Sequence, residues 1–271
     1  MKKYILFLLV IFHSSLSLAW TNGPAGNATT DTLSECSDPP YSTHDWIADH
    51  ALDLLPVNEK AWLLPHKNMY LLGTEAPDND NIPTGCNAPN TGYDDRRKGH
   101  SVEWAADWSD FIVIDGVKKD RAAVRAQEEY EKAEMAFKNG RFSDAAFYLG
   151  AMAHYVGDVS QYGHSVPFEK YHSPYENWVK TRTGSFNAGV FETYIKLDRL
   201  VRRTPYTAVK RISKKTAGGW GVILHAKAMD DMFPNKKDNQ VYLDSIGASL
   251  NLGVNELSDV LHTFYLNVVK Q

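Results

Sequence analysis

Apolar positions along this chain recur mainly three and four residues apart, the spacing that lines one face of an α-helix. In THDWIADHALDLLP they fall at Ile47, Ala51, Leu54 and Leu55, with Ser42 or Thr43 placed to cap the helix and Pro56 to end it. Residues 118–139, KKDRAAVRAQEEYEKAEMAFKN, spell a charged, alanine-rich helix. After Gly140, FSDAAFYLGAMAHYVGDVSQYG offers Ser143 as a cap and is apolar on most faces, the pattern of a central, buried helix. Further helices are predicted over 173–182, 184–200, 221–232 and 240–269. Residues 20–42 and 74–100 are rich in Gly, Pro, Asn and Asp and read as loops. There is no internal repeat, no sustained strand alternation and no dividing linker. The expectation is an all-α, single-domain multi-helix bundle over residues 20–271.

Composition adds limits. A chain of 271 residues, 43% of them apolar, can bury a sizeable core, which excludes a disordered polymer. The formal net charge is −4, and no Lys/Arg block resembles a nucleic-acid stripe. Bulk charge does not decide the substrate, because a metal site can grip phosphate without such a stripe. The opening MKKYILFLLVIFHSSLSLAW has Lys2 and Lys3, an apolar run from Tyr4 to Phe12, and small residues at Ser17 and Ala19. That is the layout of a cleaved secretory leader over residues 1–19, its run too short to span a membrane. The expectation is a secreted or periplasmic protein beginning at Trp20. Cys36 and Cys86 lie in turn-rich segments, where export permits a disulfide between them and equally two free thiols.

The chemistry concentrates in MAHYVGDVSQYGHS and KYHSPYENWVK. His154 and Asp158 stand four apart, as do His172 and Glu176, each pair on one face of a helix, and His164 lies between them. Either pair alone reads first as a solvated surface pair. Together they supply the imidazole and carboxylate ligands that zinc accepts in a hydrolytic site.

The run FYLGAMAHYVGDVSQYGH resembles the signature of the secreted zinc-dependent phospholipases C, whose fold is shared with the fungal single-strand-specific zinc nucleases. STHDWIADHALDLL, GTEAPDNDN, GHSVEW and HSPYENWV extend the similarity over roughly residues 20 to 180, while the C-terminal third matches only as helices of suitable length. The resemblance implies three zinc ions. Asp78, His100, His154 and Asp158 would hold the first, and His164, His172 and Glu176 the second. His44, a bridging Asp158, and the amine and carbonyl of Trp20 would hold the third, so that removal of the leader completes the site. The family offers Asp78 as the group that orients or deprotonates the attacking water.

By the same resemblance, a glutamate at position 176 matches the phospholipases, whereas the nucleases carry aspartate there. Asn79, Arg97 and Gly23 depart from the aromatic and acidic residues that would favour choline, and Tyr162 replaces the usual proline. His50, His66, His225 and His262 read as structural or surface groups. Trp46, Trp104, Trp108 and Trp178 read as core, Trp104 standing near enough in sequence to His100 to line a pocket. The implied activity is hydrolysis of phospholipid at a membrane or micelle surface by a monomer that needs no nucleotide cofactor. The alternatives are a single-strand nuclease or nucleotidase, and a non-catalytic metal-stabilised binding module.

Overall fold

The computed structural model describes residues 41–78, 99–183 and 189–271. Among them are the helices α1 (Thr43–Asp53), α2 (Val57–Lys60), α3 (Lys67–Glu75), α4 (Arg121–Lys138), α5 (Phe142–Asp158), α6 (His172–Thr183), α7 (Pro205–Gly218), α8 (Ala226–Lys236) and α9 (Gln240–Phe264). The fold is all-α. No helix of the described residues is long and apolar enough to cross a membrane. The leader, Trp20, Gly23, Cys36, Asn79, Cys86 and Arg97 lie outside the described residues.

Helix α5 is the axis of the bundle, as its apolar faces predict: every residue from Leu149 to Asp158 is buried, and α1, α3, α4, α7 and α9 pack around it. The crossing of α3 over α5 is unusually close because glycines meet there. A Cβ built on Gly150 would lie 1.9 Å from the Tyr70 carbonyl oxygen, and one on Gly73 would lie 2.1 Å from that of Phe147. Backbone therefore rests on backbone, which fixes the height of Thr74 above α5.

Ser42, not Thr43, caps α1. Its hydroxyl accepts from the Asp45 N–H while the Asp45 carboxylate accepts from the Ser42 N–H, a complete capping box. Helix α5 starts at Phe142 with no side-chain cap, so Ser143 lies inside the first turn. It ends at Asp158, and Tyr162–Ser165 forms a separate 3₁₀ turn. The helix predicted from residue 118 begins at Arg121, because Val113–Ile114 and Val117–Lys118 form a small antiparallel hairpin whose turn residues Asp115 and Gly116 have φ of 52° and 75°.

The helix predicted over 184–200 is absent from its described part. Glu192–Tyr194 is one 3₁₀ turn, and residues 195–203 run as an extended strap along α9. The N–H groups of Lys196, Asp198, Val201 and Arg203 donate to Asn251, Asn255, Asp259 and Thr263 respectively, at 2.7–2.9 Å. These four acceptors stand four apart on one face of α9 and replace the carbonyls that a helix would have used. Thr204 then caps α7, a helix that the apolar pattern left unread, with Pro205 in its first turn. Residues 221–225 are not helical, so α8 starts at Ala226, capped by His225. Helix α9 gives way at Tyr265–Val269 to a π-turn.

Candidate metal centre

Five elements and the segment at His100 bring the titratable side chains together. His44 is the second residue of α1, Asp78 ends the 3₁₀ turn Ala76–Asp78, and His154 and Asp158 occupy the last turn of α5. His164 lies in the 3₁₀ turn Tyr162–Ser165, and His172 and Glu176 stand one turn apart at the start of α6. His100 precedes the ribbon of residues 101–119, tied to the site by the bond of the Val102 N–H to the His164 carbonyl at 2.8 Å.

Asp158, wholly buried, is the hub. Its Oδ1 lies 3.4 Å from His44 Nε2 and 3.7 Å from His164 Nε2, and its Oδ2 lies 2.9 Å from His100 Nδ1 and 3.3 Å from His154 Nε2. Asp78 Oδ1 stands 3.6 Å from His100 Nε2 and 3.8 Å from His154 Nε2. Glu176 Oε1 is 3.2 Å from His164 Nε2 and 3.0 Å from His172 Nε2. Three groups thus offer ligand atoms mutually within 4.8 Å: His44, His154 and Asp158; Asp78, His100 and His154; His164, His172 and Glu176. Gly157 makes room for this packing, because a Cβ there would approach His44 Nδ1 to 3.0 Å.

Many of these atoms lack hydrogen bonds among the described residues. Both nitrogens of His44, both carboxylate oxygens of Asp78, His100 Nε2, Asp158 Oδ1 and Glu176 Oε2 are buried with no hydrogen-bond partner there. Leaving such groups unsatisfied costs about 1–3 kcal/mol apiece, more when charged. Lone pairs converging at this density from imidazoles and carboxylates fit the ligand chemistry of zinc.

The local electrostatics show the same frustration. Burial, reinforced by the neighbouring His154, pushes His44 down to about 4. Burial opposes charge on His154 as well, but the Asp158 and Asp78 carboxylates outweigh it and push that imidazole up to about 9. His172 is pushed up to about 10 because Glu176 and Glu169 overcome its burial. Against their own burial, Asp158 is held well below the usual carboxylate range by His154, His164 and His100, and Glu176 is lowered by His172 and His164.

A second tier of residues orients the first. His154 Nδ1 donates to the Thr74 carbonyl at 2.6 Å, leaving Nε2 to face Asp158. Thr74 is itself fixed: its hydroxyl donates to Asp45 Oδ1 at 2.7 Å, and Asp45 Oδ2 takes the Ser42 N–H at 2.9 Å. The Ser42 hydroxyl also reaches Glu75 Oε1 at 2.5 Å. Burial and the adjacent Asp45 raise the Glu75 carboxyl well above its ordinary range. On the other side, Glu169 Oε1 stands 3.1 Å from His172 Nδ1, and the Gln161 amide donates to Glu176 Oε1 at 3.3 Å while its oxygen accepts the N–H groups of Gly163 and His164.

Gln161, Glu169 and the Thr74 carbonyl were not anticipated. Gln161 had a signal, a polar side chain three residues before His164 in the motif, and Glu169 had another, three before His172. Thr74 acts through its main chain and left none. The remaining histidines sit apart: His50 pairs with Glu192, His262 with Glu59, His225 caps α8 and His66 lies beside Phe142. Trp46, Trp104 and Trp178 are core residues, Trp104 turning its indole N–H to Ser213, and Trp108 is half-buried.

The chain belongs to the zinc dependent phospholipase C family, whose model matches residues 43–249. A phospholipase C of Bacillus cereus is 27% identical over 146 residues, covering 52% of this chain and 50% of that protein. A second from the same organism is 26% identical over a stretch of the same length. The chain thus spans about half the length of these curated relatives. The alpha-toxin of Clostridium perfringens from an avian strain shares the fold with a TM-score of 0.55 at 18% identity, over 84% of this chain and 64% of that one. The alpha toxin of Clostridium absonum gives 0.51 at 17%, over 83% and 64%.

Proposed function

We propose that this chain is a phospholipase C that hydrolyses the glycerol-side phosphodiester of a phospholipid, releasing diacylglycerol and a phosphorylated headgroup. The observation that carries the reading is the carboxylate of Asp158 facing four imidazoles in a buried cluster where lone pairs outnumber donors. The nearest ligand partition is three zinc ions: Asp78, His100, His154 and Asp158 for one; His164, His172 and Glu176 for another; His44 and Asp158 for a third, with Trp20 as its further ligand. When bound, zinc supplies a nucleophilic water at neutral pH and neutralises charge on phosphoryl oxygens.

The protein's own groups do the positioning. Asp78, whose two oxygens have no hydrogen-bond partner among the described residues, orients the attacking water by accepting its hydrogen bond. Thr74 and Glu169 fix the rings of His154 and His172 so that Nε2 faces the centre, and Gln161 holds Glu176 across from them. The bundle shuts water away from the rear of the site, since His44, His154 and Asp158 are essentially inaccessible. The same reading takes residues 1–19 as a leader whose removal exposes the Trp20 amine, in a secreted or periplasmic monomer.

The test is to present the zinc-loaded protein beginning at Trp20 with phospholipid micelles and, separately, with single-stranded DNA and RNA, following products by phosphorus NMR. Release of a phosphomonoester headgroup together with diacylglycerol is the expected result. Nucleotide release with the lipids untouched would transfer the site to nuclease chemistry, and no turnover of either would leave a metal-stabilised binding module.

A further inference from the structure

The charge of this protein is unevenly spread. Residues 196–215 hold eight lysines and arginines against Asp198 alone, in a chain whose formal net charge is −4. The fold gathers this segment into one surface. Its first half is the strap on α9, whose inward N–H groups are taken by α9 side chains while Lys196, Leu197, Arg199, Val201 and Arg202 remain exposed. Its second half is α7, where Thr207, Arg211, Lys214 and Gly218 line the exposed face.

Glu256 joins the halves: its two carboxylate oxygens lie 3.0 Å from Arg203 Nε on the strap and 2.7 Å from Arg211 Nε on α7. That carboxylate is shared between two cations, and Asp259 adds a contact to Arg203 at 3.5 Å. Lys196, Arg199, Arg202, Lys214 and Lys215 form no ion pair with a described residue. Beyond the C-terminus of α7 the chain turns at Gly219 and Gly221, with φ of 82° and 60°, and presents Trp220 and Val222 at 54% and 62% exposure. Lys215 lies over the Trp220 ring at 4.5 Å from its centroid, so the indole is continuous with the basic surface.

We propose that this face docks the protein on an anionic phospholipid bilayer, with the strap and α7 cations against the headgroups and Trp220, Val222 and Leu197 at the acyl boundary. This rests on the phospholipid reading above, and names the physical form in which the substrate is met. The unpaired cations match the negative surface of such a membrane. An exposed indole beside lysines suits the interfacial layer, where an amphipathic ring and long cationic stems are both accommodated. Exposed Leu197, Val201 and Val222 favour lipid over single-stranded nucleic acid, because aliphatic side chains give bases no stacking surface but gain by entering hydrocarbon. The inner side of α7 meets the site through Thr216, whose hydroxyl lies 3.0 Å from that of Ser165, the residue after His164. The exposed face of α7 and Ser165 therefore lie on opposite sides of that helix.

The experiment is co-sedimentation of the zinc-loaded protein with phosphatidylcholine vesicles, with and without phosphatidylglycerol, for the parent, for the combined variant Arg199→Gln, Arg202→Gln, Lys214→Gln, and for Trp220→Ala. The parent is expected to partition onto the anionic vesicles and to be released by salt. The combined variant should bind them on the order of a hundredfold more weakly, and Trp220→Ala several-fold more weakly. Hydrolysis of a monomeric short-chain phospholipid, assayed separately, should be the same in all three proteins. Equal binding of the parent to neutral and anionic vesicles, or undiminished binding by the combined variant, would overturn the proposal. So would tighter binding of a single-stranded oligonucleotide than of anionic vesicles. If no protein hydrolyses the soluble lipid, the catalytic reading fails while the sedimentation result still decides the docking face.

Discussion

The imidazole of His154 on α5 donates from Nδ1 to the carbonyl oxygen of Thr74 on α3 across 2.6 Å. The bond exists at that length because Gly73 and Gly150 let the two helices touch backbone to backbone. A methyl group at Gly150 would overlap the Tyr70 carbonyl, and neither side of that contact is a flexible side chain. Gly150→Ala should therefore separate α3 from α5, costing on the order of 3 kcal/mol of stability. It should also weaken zinc binding by about 10–100-fold through loss of the histidine's orientation. Urea unfolding and metal titration measure the two effects, and a variant with both parental values would show that the close crossing has no bearing on the site.

Gln161 tests whether orientation of a carboxylate matters as much as orientation of an imidazole. Gln161→Ala removes the donor to Glu176 and the acceptor for the Gly163 and His164 N–H groups, all buried. Unsatisfied buried amides cost about 1–3 kcal/mol. The expected phenotype is a roughly tenfold or larger loss of zinc affinity with activity restored by excess zinc. Activity lost at saturating zinc would mean instead that Gln161 touches the substrate.

The protonation of the metal-free site sets the pH dependence of loading. The imidazoles of His154 and His172 are pushed up to about 9 and about 10, principally by Asp158 and Glu176 acting against burial. At neutral pH both carry protons that a metal ion must displace, so zinc affinity should climb with pH until about 9–10, and each loading event at pH 7 should release protons. For the metal-free chain the sign is opposite. Folded values above the ordinary histidine value contribute stability that is fully present below about 6.5 and lost as pH rises through 9 to 10. Calorimetric titration of zinc in buffers of differing ionisation heat counts the protons, and thermal melts with and without chelator across that range check the stability arm. A proton count of zero at pH 7 would contradict the assignment of both histidines as ligands.

How far the sequence carried depends on what each position does. His154, Asp158, His172 and Glu176 were legible because a four-residue spacing on a helix survives folding unchanged, and α5 and α6 are helices over those residues. The strap was not legible. Residues 195–203 carry apolar positions at spacings a helix could use, and a polar ladder fifty to sixty residues away on α9 keeps them extended. The basic surface was missed for a related reason. Its eight cations fall within residues 196–215 but form no contiguous Lys/Arg block, and the pairing of strap with α7 through Glu256 brings the two halves of that segment together. The Asp115–Gly116 turn was a readable hairpin signal that its two-residue strands were too short to reinforce.

Asp158 gives the severest test. Its two oxygens serve four imidazoles, and it is wholly buried, so its negative charge, with those of Asp78 and Glu176, compensates the positive charge the cluster holds, protons or metal. Asp158→Asn keeps the shape but removes that charge and replaces one acceptor oxygen with an N–H₂ group that turns donors toward rings already offering donors. Breaking a buried ion pair from one side typically costs about 3–5 kcal/mol. With the protons of His154 no longer stabilised, its imidazole should lose its raised affinity for them, detectable by NMR titration of the metal-free protein. Zinc content after dialysis should fall below that of the parent, and phosphodiester hydrolysis should fall with it. An Asp158→Asn variant that retained full zinc, an unshifted histidine titration and parental activity would remove Asp158 from the centre of the site and with it the ligand set built around that carboxylate.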